Sequence, residues 1–359
     1  MTLDAHGRAS TQALLGSVTR VDPAAALEEL LRRRRRRGVV RAVTALATAT
    51  ALALIGWVSV RGPEREATIT TPPPGSLGRV AATIPVGTGP VDVLVAEGAV
   101  WVANATQGTV SRVDPATNTV TRTIPVGRNP IRLAAGFGSI WVANETEQTV
   151  SRLDARTGQV KATIPVTGHV APEGLAVGAG AVWVRSNVKL WRLDPATNTM
   201  VDETGDWEVG GAGTAVVDGL LWLSGTTRSG VGQIVRVDPA TSRVIDRFPT
   251  PGDGALAVGG GSVWQAGTTS QTIYRYDPTS KRPLAQIPIG VVAKHLTANA
   301  GSLWISSVSG RVTRIDLATN KITGTLQVSG RAPAVAIGLG AVWILDPDHA
   351  ALLRLQPTG

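Results

Sequence analysis

Five side chains stand where a repeating chain otherwise places small or apolar ones: Asp92, Arg132, Glu173, Lys294 and His295. Together they offer two carboxylates, two cations and an imidazole, groups that bind charged ligands or move protons. They are far apart in the chain. Acting together requires a fold that returns the chain to one place at regular intervals. The spacing meets that requirement. Asp92, Arg132 and His295 each precede a repeated tryptophan by nine residues, and Glu173 and Lys294 sit one residue earlier in their copies. The remaining copies carry Gly174, Gly213, Ala255 and Ala334 at the nine-residue position.

The tryptophans are Trp101, Trp141, Trp183, Trp222, Trp264, Trp304 and Trp343, with gaps of 40, 42, 39, 42, 40 and 39 residues. Each follows a small-residue turn and an apolar residue, and all but Trp264, which precedes Gln265, are followed by another apolar residue, as in Gly138-Ser139-Ile140-Trp141-Val142-Ala143-Asn144. An Arg-x-Asp stretch follows in six copies, from Arg112/Asp114 to Arg314/Asp316, and the last copy has Arg354 with Gln356. A period near forty residues, rich in short strands and turns, predicts a β-propeller. Copy two reads as strands over Ile131–Ala135, Ile140–Asn144, Thr149–Asp154 and Val160–Val166. The fold class is thus all-β: a seven-bladed propeller of four-stranded antiparallel blades.

The Asp residues of the repeat look like a metal ring when written out together, but their context is a turn. In Asp114-Pro115-Ala116-Thr117-Asn118 and its copies, Asp accepts from backbone amides ahead of it and Pro presets φ. Asn118, or Gly158 in copy two, takes the left-handed position. The seventh copy ends without a fourth strand, while Arg79–Gly87 matches the fourth strand of copy one, Thr119–Gly127. The N-terminal strand is therefore expected to complete the last blade and close the ring.

In a propeller the innermost strands begin at the mouth of the central channel. The five polar departures then form either a funnel for a small or peptidic ligand, or a solvated rim whose charges pair with one another.

The N-terminal part reads differently. Asp22-Pro23 starts a short helix with Leu27, Leu30 and Leu31 on one side. Six consecutive arginines, Arg32–Arg37, are followed by Arg41 and then by 19 uncharged residues, Ala42–Val60, with Trp57 near the end. That length matches the ~30 Å hydrocarbon core, and flanking arginines keep the N-terminus cytoplasmic. The long preceding segment and Gly56-Trp57-Val58-Ser59-Val60-Arg61 argue for an uncleaved anchor over a signal peptide. Pro63 and Pro72-Pro73-Pro74 mark an extended linker. The expected organisation is a cytoplasmic tail over 1–38, a transmembrane helix over 39–61, a linker over 62–78 and the propeller over 79–359.

Composition narrows the function. Net charge is +9, but residues 1–41 hold nine Arg against four acidic residues, so the repeats carry little of it and no nucleic-acid partner is expected. With no Cys there is no disulfide or thiolate metal site. Nucleophile-elbow, zinc-protease and phosphate-loop motifs are absent. The sequons at Asn104 and Asn144 fall inside the repeat pattern itself and read as coincidence.

Trp-Val-Ala-Asn at 101–104 and 141–144, Val-Asp-Pro-Ala-Thr-Asn at 113–118 and Thr-Ile-Pro-Val-Gly at 83–87 and 123–127 resemble the bacterial YVTN-type repeat family. They are also similar to the propeller superfamily containing virginiamycin B lyase. That second resemblance implies a divalent metal with a His and acidic residues as base and acid. Only His6, His169, His295 and His349 exist, and no dense carboxylate set accompanies them. The sequence therefore favours a membrane-anchored, extracytoplasmic module that binds an unknown small-molecule, peptide or protein ligand, with no cofactor or metal. A lyase or hydrolase is the second reading. A transmembrane sensor with a cytoplasmic partner at the tail is the third.

Overall fold

The computed structural model describes residues 75–357 apart from 169, 188, 205–209, 300 and 329. The tail, the uncharged run and nearly all of the linker lie outside the described residues. Among the described residues no helix is long and apolar enough to cross a membrane.

Short strands separated by tight turns build seven antiparallel sheets. Blade one runs Pro90–Ala96, Ala99–Asn104, Thr109–Asp114 and Thr119–Pro125, and blade two runs Pro130–Gly136, Ser139–Asn144, Thr149–Asp154 and Val160–Pro165. In both, the strand carrying Trp is buried along its whole length, while the outermost strand is mostly exposed. All seven repeat tryptophans are buried, and apolar clusters join each blade to its neighbours. Five of their indole N–H groups donate to the carbonyl five residues earlier, as Trp141 does to Gly136 at 3.2 Å. Gly136 has to lack a side chain, because a Cβ there would sit 2.3 Å from Val177 of the next blade.

The repeated arginine joins blades. Six of the seven lie over the Trp of their own blade, 4.8–5.8 Å from the ring centroid. Four also reach forward to the next blade's turn, Arg236 through the Pro278 carbonyl at 3.4 Å. Arg152 donates to Pro195 O and Asn198 Oδ1, Arg275 to Leu317 O and Asn320 Oδ1, and Arg354 to Pro115 O and Asn118 Oδ1. Those three Asn residues have φ of 57–59°, so the left-handed residue that closes each turn also receives the arginine. The repeated Asp works inside its turn: Asp114, Asp194 and Asp238 accept from the amide two residues on at 2.7–2.8 Å.

The ring closes as the sequence indicates. Gly78–Pro85 pairs antiparallel with Ala351–Pro357 and becomes the outer strand of blade seven. Ile84 packs beside Trp343, Leu352 and Val100, uniting blades seven and one. Strand pairing is already present ahead of residue 79, however. Gly75–Ser76, within the stretch read as linker, pairs in parallel with the outer strand of blade six, Ile322–Gln327. Leu77 is buried in the core between blades six and seven. Pro-rich composition hid this short strand, whose receptor is Gly324: a Cβ there would lie 2.5 Å from Leu77.

Candidate functional site: the channel mouth

The innermost strands of blades one, two and six bring Asp92, Arg132, Lys294 and His295 to one cavity of about 220 Å³ at the centre of the ring. Gly174, Gly213, Thr214, Ala255 and Thr297 complete much of its wall. The four positions were separated by up to two hundred residues of chain; the forty-residue period superposes them.

Asp92 is buried and its carboxylate is engaged. Oδ2 accepts from the Leu133 amide of the next blade at 2.8 Å, and Oδ1 accepts from its neighbour Val93 at 3.0 Å. His295 Nε2 lies 3.9 Å from Asp92 Oδ1. Burial pushes the His295 imidazole below the usual histidine range; Asp92 opposes this and Arg132 adds to it. Arg132 donates from Nη1 to the Ile131 carbonyl at 2.8 Å, which turns its side chain along the wall. Lys294 is exposed at the rim. Thr214 Oγ1 is buried in this wall with no hydrogen-bond partner in the chain.

Glu173 is not part of the cavity lining. It stands beside it and accepts from Asn187 Nδ2 at 2.6 Å. Burial raises its carboxyl above the usual range, Glu145 adds repulsion, and Arg185 and Arg132 act against both.

Arg185 escaped sequence reasoning. It is buried between blades three and four, donating from Nη1 to Gly213 O at 2.8 Å and Ser224 O at 3.0 Å. Burial lowers its guanidinium to about 10, with Glu173 opposing. The signal was present: the residue two after the repeat Trp is Ala103, Ala143, Ser224, Ala266, Ser306 or Leu345 in the other copies, all small or apolar, but Arg in copy three.

Among the described residues the other histidine, His349, does not line this cavity. His349 donates or accepts through Nδ1 with Asp346 Oδ2 at 2.8 Å, in the short 3₁₀ turn Pro347–His349 of blade seven. His169 and His6 lie outside the described residues. Among the described residues no three His, Asp or Glu side chains are grouped to hold a metal ion. Asn104 and Asn144 are fully buried and donate to Thr109/Ser111 and Thr149/Ser151, in keeping with the reading of their sequons as coincidence.

The comparisons agree with this architecture. No curated protein matches the chain. A solved structure titled Kuenenia stuttgartiensis hydrazine synthase superposes with a TM-score of 0.67 at 14% identity, covering 76% of this chain and 97% of the other, which is a likeness of fold. The model of the YNCE-like beta-propeller family matches residues 67–194, from ahead of the closing strand to the third strand of blade three. In sequence and in fold, this chain is similar to YNCE-like propellers, consistent with YVTN-type repeats.

Proposed function

We propose that this protein is a membrane-anchored, extracytoplasmic propeller that binds a small anionic ligand, bearing a carboxylate or phosphate, at the channel mouth. The observation that carries the reading is the convergence of Arg132 with Lys294 and His295, from two separate blades, on one cavity in which Asp92, the only acidic lining residue among the described residues, is already bonded to backbone amides. With that carboxylate occupied, the wall offers cations and hydroxyls, the donors an anion needs. The anchoring part rests on Arg32–Arg37 and the uncharged run Ala42–Val60. The test is calorimetric titration of the full chain with succinate and with inorganic phosphate. Binding of at least one is expected, weakened at least tenfold in Arg132→Ala/Lys294→Ala. Absence of binding by either anion, or equal binding by the variant, overturns the reading.

A lyase of the virginiamycin B kind is the second reading, favoured by the imidazole of His295 facing Asp92 in a cavity. It needs a donor set for a divalent ion. Of the described residues, His295 and Asp92 are the only such donors in the cavity lining.

A further inference from the structure

The two ends of the propeller differ in what they expose. In each blade the strands alternate in direction, so the turns joining first to second and third to fourth strands lie at the end away from the channel mouth. Among the described residues, ten large apolar side chains are exposed. Only Val231 and Val308 belong to loops at the mouth end. The other eight lie at or near the opposite end. Phe137 and Leu339 are the most protruding by position, each at the tip of a first-to-second-strand turn and exposed by 46% and 43%.

Both tips have φ of 55°, a left-handed conformation. Gly, Asn or Asp is favoured there, and a bulky side chain is costly. The same turn position in blades one and four carries Glu97 and Asp218. Phe137 and Leu339 thus sit against local backbone preference and in water. Around them the third-to-fourth-strand turns expose Arg156, Arg243, Arg282 and Lys321. The Asp residues of these same turns are bonded to amides within the turn.

The chain also enters the propeller at this end. Gly78–Pro85 is an outermost strand, antiparallel to Ala351–Pro357, and such strands start away from the mouth. Fourteen residues separate Val60 from Gly75, a reach of at most ~50 Å even when fully extended. The cations of this end stand among the exposed carboxylates of Glu97 and Asp218, so it is the apolar tips, with the entry point of a tethered chain, that fit one occupant, a lipid surface.

We propose that the propeller rests this end on a bilayer, with Phe137 and Leu339 entering the headgroup layer and the channel mouth facing away from the membrane. The proposal rests on the anchoring reading above. Ligand would then reach the mouth from solution, unobstructed by the bilayer.

The chain has no Cys, so Phe137→Cys, Leu339→Cys, Val231→Cys and Val308→Cys each create a unique labelling site. Each full-length variant is reconstituted into phosphatidylglycerol–phosphatidylcholine vesicles and labelled with a nitrobenzoxadiazole dye. Labels at 137 and 339 are expected to shift to the blue and to be quenched severalfold by brominated lipid, while those at 231 and 308 keep their emission in water. Equal emission at all four sites overturns the proposal. So does a blue shift at 137 or 339 that brominated lipid leaves unquenched, since that places a second copy or a protein partner on this end. Carbonate extraction of the same vesicles tests anchoring separately: a chain that washes off refutes the anchor, whereas one that stays without quenching at 137 and 339 refutes only the docking face.

Discussion

The molecule holds two populations of charged residue, and they behave oppositely. Six of the seven repeat arginines lie over their own Trp, and four bond to the next blade's turn, while the repeated Asp closes that turn. These groups are satisfied by the architecture and leave little for a ligand. The charges that depart from the repeat, Arg132 and Lys294 with His295, gather instead on the wall of one cavity. Periodicity therefore separates charges that build the ring from charges the ring presents. Asp92 stands between the two groups: it departs from the repeat and lines the cavity, yet it ties blade one to blade two through the Leu133 amide.

The largest expected effect lies on the building side. Trp264→Ala removes a fully buried indole and the platform under Arg275, and should cost about 3–5 kcal/mol in urea unfolding. Arg132→Ala/Lys294→Ala should stay within about 1 kcal/mol of the parent, as for substitutions outside the core. A loss as large as that of Trp264→Ala would erase the distinction between the two populations. Within the building side, Arg275→Ala and Asn320→Ala should show a coupling of roughly 1 kcal/mol in a double-mutant cycle, because they share a 2.8 Å bond. Arg112 donates instead to Thr121 of its own blade, and the next blade's turn is closed by Gly158, which has no side-chain acceptor. An Arg112→Ala, Gly158→Ala cycle should show no coupling of this kind.

Asp92→Ala probes the residue that belongs to both sides. It leaves the buried Leu133 amide without its acceptor, and should cost about 1–3 kcal/mol. A neutral outcome would return Asp92 wholly to the channel.

The propeller was legible because the blades repeat the same physical problem: one Trp to fill the wedge and, in six of the seven, an Asp turn closed by a left-handed residue such as Asn118 or Gly158. The closing strand was legible because Arg79–Gly87 copies Thr119–Gly127. The channel residues were legible as departures from a small-residue background. What escaped follows no repeat. Gly75–Leu77 was hidden by its Pro-rich surroundings, and only its receptor Gly324 explains it. Arg185 was hidden because it lies on the strand that carries Trp, where buried apolar residues were expected. Glu173, read as a rim residue one position ahead of the ring, accepts from Asn187 and is not among the residues lining the cavity, whereas Lys294 at the same offset is. The readings of residues 1–74 lie outside the described residues and stand as proposals.

A smaller effect concerns pH. Burial holds the His295 imidazole low, so the folded chain binds fewer protons than the unfolded chain just below about pH 6.5. Its contribution to stability is full above that value and is lost as pH falls towards the folded-state value. Glu173, raised by burial, acts in the opposite sense: it favours the fold most when protonated, and its contribution declines as pH rises above about 4.5. The melting temperature should therefore drop between pH 7 and pH 5 less in His295→Gln than in the parent, and Glu173→Gln should steepen the drop. Identical profiles for all three chains would mean that neither group titrates with folding.

The central claim is that the charges departing from the repeat form the binding surface, and inverting them tests it most directly. The measurement is calorimetric titration of Arg132→Glu/Lys294→Glu and of the parent with succinate and with putrescine, each chain first shown to keep its unfolding midpoint. The account predicts that succinate binding is lost in the variant and that putrescine binding appears, with the parent showing the reverse. Succinate binding that survives the inversion would contradict it.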